Sequence, residues 1–255
     1  MSSYRRTGLP PLDCHAHISP DVTEGQISAL GDVLIFAMTR SMEEAEKVRR
    51  RSDRVLMWGC GVHPGNREAV HAFEPQRFEA LLADFVLVGE LGLDRRSGNL
   101  SGQLKIFREM MSVSACHSVL RSVHSTGCVE LVLDVIDEYR PRGCILHWFN
   151  ASKDLVDRAV NLGCYFSVNV AMADDAISKI PLDRLLPETD FPATRRHGVH
   201  LPAQVDALEG QVSTLHGLSP DEVRIQWYRN LRRLVTDAGL FERVPDDVAD
   251  LLLGV

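Results

Sequence analysis

The chain has 255 residues, 45% of them hydrophobic and 25% charged, a composition that excludes a fibre, a linker or a disordered tail. Its 28 Lys and Arg against 35 Asp and Glu give a formal net charge of −7, which argues against holding long nucleic acid on a broad basic surface. A small, cation-charged site that handles phosphates stays open. No apolar run approaches the ~20 residues that span a bilayer. The opening Met-Ser-Ser-Tyr-Arg-Arg-Thr-Gly-Leu-Pro-Pro lacks the apolar stretch of a secretory signal, so the expectation is a cytoplasmic protein with no membrane partner. Six cysteines, Cys14, Cys60, Cys116, Cys128, Cys144 and Cys164, form no Cys-x-x-Cys pair and read as reduced core thiols.

In chain order, short β-branched and apolar runs alternate with helix-length amphipathic stretches. The strand candidates are Leu12 to His17, Val33 to Met38, Val55 to Cys60, Phe85 to Glu90, Val119 to His124, Cys144 to Trp148, Tyr165 to Asn169 and Leu185 to Glu188. Between them, Ser41 and Glu44 have capping-box spacing and open a charged helix to Arg51. Gln103 to Met111, Cys128 to Tyr139 and Lys153 to Leu162 repeat apolar residues at helical spacing, the last stopped by Gly163. Pro202 to His216 and Ser219 to Asp237 read as two more helices. Eight strands, each followed by a helix, predict an α/β protein: one (β/α)8 TIM barrel domain spanning 1–255, with an additional C-terminal helix. An open doubly wound sheet is the alternative, but no G-x-G-x-x-G follows the first strand.

The chemistry sits at the strand ends. Side chains alternate along a strand, so Asp13, His15 and His17 share one face while Cys14 and Ala16 point the other way. Glu90 ends the fourth strand, His124 the fifth and His147 the sixth, and Asp190 follows the eighth. In a barrel these ends meet on the C-terminal face, where barrel enzymes place catalysis. A rim histidine bonded to a loop is the ordinary explanation of any one of them; four histidines and two carboxylates on five strand ends call for a centre. Nitrogen and oxygen donors without inward thiolates suit a hydrolytic site holding Zn²⁺, Mg²⁺, Mn²⁺, Fe²⁺ or Ni²⁺.

The ordered segments His15-x-His17, Gly61-Val62-His63-Pro64, Gly89-Glu90-Leu91-Gly92-Leu93-Asp94, His124-Ser125, His147-Trp148-Phe149-Asn150-Ala151-Ser152 and Pro187-Glu188-Thr189-Asp190-Phe191-Pro192 resemble the signature of the TatD-type metal-dependent hydrolases, a branch of the amidohydrolase superfamily. The resemblance runs from about residue 12 to about residue 236 and takes in Asn230-Leu231 near its end. It implies a deoxyribonuclease that uses two divalent ions, one bound by His15, His17 and Asp190 and a second by His124 and His147, with Glu90 bridging both. It further implies that His63 contacts substrate beside the metals and that Asp190 takes a proton from the attacking water.

Two departures from the family pattern bear on substrate. Thr126 stands where the family often has Arg, and Ala193 to His200 differs from the usual wording and resembles TatD-like subunits of anti-phage defence systems. Arg95 and Arg96 after the fourth strand, with neighbouring Asp94, and Arg195 and Arg196 after the eighth are the candidate substrate-binding residues in place of the missing Arg. The leading expectation is hydrolysis of DNA ends or short nucleic acid. The alternatives are an ester or amide hydrolase acting on a modified tRNA or a small molecule, and a subunit with a mainly binding role among the partner proteins of a defence complex.

Overall fold

The computed structural model describes residues 7–255. Its strands are β1 (Leu12–Ala16), β2 (Leu34–Ala37), β3 (Leu56–Cys60), β4 (Leu87–Gly92), β5 (Leu120–His124), β6 (Cys144–His147), β7 (Tyr165–Val168) and β8 (Leu185–Pro187). Every strand residue is buried, as expected of parallel strands covered on both faces. Each strand pairs in parallel with the next, in the order β1 to β8. The seam between first and last is drawn together beyond β8: the Asp190 N–H donates to the His15 carbonyl and the His17 N–H to the Phe191 carbonyl, both at 2.8 Å. The expected (β/α)8 barrel is therefore the observed fold.

The helices are α1 (Glu24–Ser28), α2 (Met42–Val48), α3 (Arg67–His71), α4 (Pro75–Leu82), α5 (Leu100–Ala115), α6 (Val129–Tyr139), α7 (Lys153–Asn161), α8 (Asp174–Ser178), α9 (Asp206–His216), α10 (Pro220–Asp237) and α11 (Asp246–Leu253). No helix among the described residues is long and apolar enough to cross a membrane. The stretch expected to be helical from Pro202 begins only at Asp206. Ala203 lies in left-handed backbone at φ 61°, and its N–H donates to the buried Asp13 carboxylate at 2.8 Å, so this turn is committed elsewhere. The Ser41 capping box forms by half: its hydroxyl accepts the Glu44 N–H, while the Glu44 carboxylate accepts from the Arg40 N–H instead of that of Ser41. Five of the six cysteines are buried, but Cys116, just past α5, is exposed.

Two register shifts interrupt the sheet, between Asp13 and Ala16 on β1 and between Val88 and Leu91 on β4. Such irregularities re-aim side chains beside functional sites, and these flank His15 and Glu90. Gly61 leaves β3 so close to β4 that a Cβ there would lie 2.4 Å from the Glu90 carbonyl oxygen. Glycine is required at that crossing.

Candidate metal centre

The alternation along β1 aims His15 into the barrel mouth, and His17 follows one residue past the strand end. His124 and His147 are the last residues of β5 and β6, Glu90 lies on β4, and Asp190 is three residues past β8. The six residues assigned to metal from the sequence converge around Glu90. Its Oε2 lies 3.2 Å from His17 Nε2, 3.3 Å from His63 Nε2 and 3.8 Å from His15 Nε2. Its Oε1 is 2.9 Å from His147 Nε2 and hydrogen-bonded to His124 Nδ1. Asp190 Oδ1 stands 3.9 Å from His15 Nε2 and 3.8 Å from His17 Nε2.

These residues form overlapping donor sets: His15, His17 and Asp190; Glu90, His124 and His147; and His17, His63 and Glu90. Within each set the ligand atoms lie within 4.8 Å of one another. The fit to cations is tested by atoms that the protein leaves unmatched. His15 Nε2 and Glu90 Oε2 are buried without a hydrogen-bond partner, and both face the same space. An unpaired buried nitrogen and carboxylate oxygen are costly, and a divalent ion would satisfy both. His15 Nδ1 is bonded to Ser122 Oγ at 2.7 Å, which turns Nε2 inward.

The electrostatics favour a fixed anion. Burial pushes the Glu90 carboxyl up, but the imidazoles of His63, His124 and His147 outweigh it and hold it well below the ordinary carboxylate range. Burial and His147 keep His15 well below the usual imidazole range, so it presents a neutral ring with a free lone pair. Burial, reinforced by the negative charges of Glu188 and Glu90 against the pull of His147, raises Asp190 to about 7.

The centre floors a cavity of about 1210 Å³, lined at its rim by Arg40, Arg96, Arg196 and Trp148. His63 Nδ1 accepts the Gly65 N–H at 2.8 Å, which leaves the proton of the neutral ring on Nε2, the atom facing Glu90 and the cavity. Asp94 lines the cavity too; its Oδ1 accepts the Arg96 N–H, and its Oδ2 lies 3.6 Å from His124 Nε2. Each arginine pair divides. Arg96 and Arg196 line the cavity, whereas Arg95 donates from Nε to the Gly127 carbonyl at 2.7 Å and Arg195 lies over the Phe191 ring at 4.9 Å.

Three contributors escaped the sequence reading. Glu188 is buried beside His147, with Nδ1 at 3.7 Å from its Oε2, and accepts from Asn169 Nδ2 at 2.9 Å and from the Ser167 hydroxyl. Ser122 points inward with His124 on β5, and the strand-end and alternation criteria that selected the histidines would have found both. Arg40 carried no such signal, because it lies in a loop rather than on a strand. Asp13, which shares the His15 face, turns to structure: it accepts from the N–H groups of Thr189 (2.9 Å) and Ala203 (2.8 Å), and burial raises it to about 6.

Residues 12–236 match the model of the family described as TatD related DNase. The chain is 27% identical over 257 aligned residues to the uncharacterized metal-dependent hydrolase YcfH of Escherichia coli (strain K12), covering 88% of this chain and 94% of the relative. It is 26% identical over 180 residues to the 3'-5' ssDNA/RNA exonuclease TatD of Salmonella typhimurium, covering 64% of this chain and 67% of that one. Among solved structures, the TatD homologue YJJV from Escherichia coli K12 superposes with a TM-score of 0.75 at 22% identity, covering 88% of this chain and 96% of that one. The comparisons give no support to a place in an antiviral defence complex.

Proposed function

The chain belongs to the TatD related DNase family of metal-dependent hydrolases, and from that premise we propose that it cleaves phosphodiester bonds at the ends of DNA or in short nucleic acid. The observation that carries this reading is one cavity that combines a buried nitrogen and oxygen donor cluster with three arginines at its rim. Two divalent cations bound there would supply Lewis-acid polarisation of the phosphoryl group and acidify water.

His15, His17 and Asp190 would hold one ion and His124 and His147 the other, with the two oxygens of Glu90 shared between them. Asp190 lines the cavity with Oδ1 3.9 Å from His15 Nε2 and 3.8 Å from His17 Nε2, which places its carboxylate to accept the proton of the attacking water. His63 donates its Nε2–H to a phosphoryl oxygen, a direction set by the Gly65 N–H on its other nitrogen. Arg96 and Arg196 grip the phosphate through planar guanidinium groups that match two of its oxygens at once. Arg95 and Arg195 brace the loops that present them. Ser122, Asp94 and Glu188 orient His15, His124 and His147 from behind.

The test is hydrolysis by purified protein, supplied in turn with Mg²⁺, Mn²⁺, Zn²⁺, Ni²⁺ or Fe²⁺, of end-labelled single-stranded DNA, duplex DNA and RNA. Metal-dependent release of nucleotides supports the reading. No release of nucleotides from any of the three substrates with any of the five metals overturns it.

A further inference from the structure

Among the residues that line the cavity, Trp148 alone carries an aromatic ring other than an imidazole. It is partly exposed, packs on one side against the core, and directly follows His147. Its backbone is unusual: φ is +42°, a left-handed conformation that is costly for a bulky residue and persists where surrounding structure enforces it. The enforcing contact is visible. The Trp148 N–H donates to Glu188 Oε1 at 3.1 Å, and Glu188 is itself fixed by Ser167 and Asn169. A buried carboxylate, held by a hydroxyl and an amide, thus sets the direction in which this side chain leaves β6. No hydrogen bond among the described residues uses the indole N–H, so the ring is not placed to serve an internal polar contact.

The reading as a nucleic-acid hydrolase assigns Arg96 and Arg196 to phosphate and leaves the base without a partner. Resting on that reading, we propose that Trp148 is the stacking platform for the nucleobase next to the bond being cut, and so a specificity-determining residue. An indole face takes any base, because every base presents a π surface. It admits a base that is free of its neighbours, which favours a single-stranded or frayed end over the interior of a duplex. Guanidinium groups alone would bind any phosphate ester, with or without a base.

The experiment exploits the other two tryptophans being buried, Trp58 at 6% and Trp227 at 0% exposure, so that Trp148 dominates any quenching by ligand. Metal-loaded protein is titrated with deoxyadenosine 5′-monophosphate and with deoxyribose 5-phosphate, which share the phosphate and sugar and differ in the base. Wild type should bind the nucleotide more tightly by about tenfold to a hundredfold and show quenched fluorescence. Trp148→Ala, followed by calorimetry, should bind both ligands equally, and Trp148→Phe should restore most of the preference at unchanged metal content. A wild-type preference retained in Trp148→Ala, or no preference in a wild type that cleaves single-stranded DNA, overturns the platform and leaves the nuclease reading intact. Wild-type protein that neither cleaves DNA nor binds either phosphate overturns both.

Discussion

Glu90 is fully buried, and its two oxygens divide the histidines between them: His15, His17 and His63 on one side, His124 and His147 on the other. His63 belongs to a different layer of the chemistry, because Gly65 occupies its Nδ1 and leaves a donor, not a lone pair, on Nε2. His63→Ala should therefore keep its metal content and lose about a hundredfold in kcat, the usual scale of a lost hydrogen-bond donor or general acid; loss of metal on purification would make it a ligand. Asp190→Asn should depress kcat far more than it raises KM, and a loss expressed mainly in KM contradicts the proton-accepting role. His15 and His17 were legible as a pair because alternate strand residues share a face. Glu188 and Ser122 meet the same strand-end and alternation criteria, but their roles toward His147 and His15, 41 and 107 residues away, come from contacts that only the closed barrel creates.

At the scale of elements, the strands were legible to within about two residues because each is a short, fully buried run built mainly on apolar residues. Helices were less so. Long amphipathic α6 and α7 follow their spacing, whereas α1, α3 and α8 have only five residues each and carry too few apolar positions to show a period. The early part of 202–216 failed for another reason, the demand of Asp13 for the Ala203 N–H. Packing between elements gives two predictions. Arg224 on α10 forms a two-point ion pair with Glu209 on α9, at 2.6 and 2.8 Å, with both side chains 3% exposed, and also donates to the Leu9 carbonyl before β1. Glu209→Ala should cost about 3 kcal/mol, or a fall of about 6 °C in Tm by calorimetry, because it removes the carboxylate of a buried two-point ion pair; an unchanged Tm refutes this. Gly61→Ala should displace β4 and reduce metal content at the Glu90 centre, since its Cβ has no room against the Glu90 backbone. Wild-type metal content in that variant would show that the crossing yields without disturbing the site.

The whole molecule is an acidic protein with a cationic rim around a buried donor cluster, an arrangement that net charge alone could not reveal. The net charge of −7 disfavours broad attraction to nucleic acid, so on the proposed reading binding would come from a few contacts at the cavity. The double variant Arg96→Ala and Arg196→Ala should weaken oligonucleotide binding and flatten its salt dependence by about two phosphate contacts, with metal content unchanged. An unaltered slope would remove the rim from substrate recognition. The topology was readable from eight strand signals and the helical stretches between four of their pairs, and the strand ends named the face that carries the site. What the sequence did not disclose is which arginine of each pair lines the cavity, because that depends on loop geometry after β4 and β8.

On the proposed reading, a carboxylate shared between two histidine groups would hold the divalent ions on which hydrolysis depends. The direct measurement is metal content by mass spectrometry together with hydrolysis of end-labelled single-stranded DNA, made in parallel on wild type and Glu90→Gln after the same metal loading. Wild type should carry two divalent ions and release nucleotides, while Glu90→Gln, folded by circular dichroism, should lose at least one ion and its activity. Glu90→Gln protein that keeps both the metal content and the turnover of the wild type would show that Glu90 is not the shared ligand.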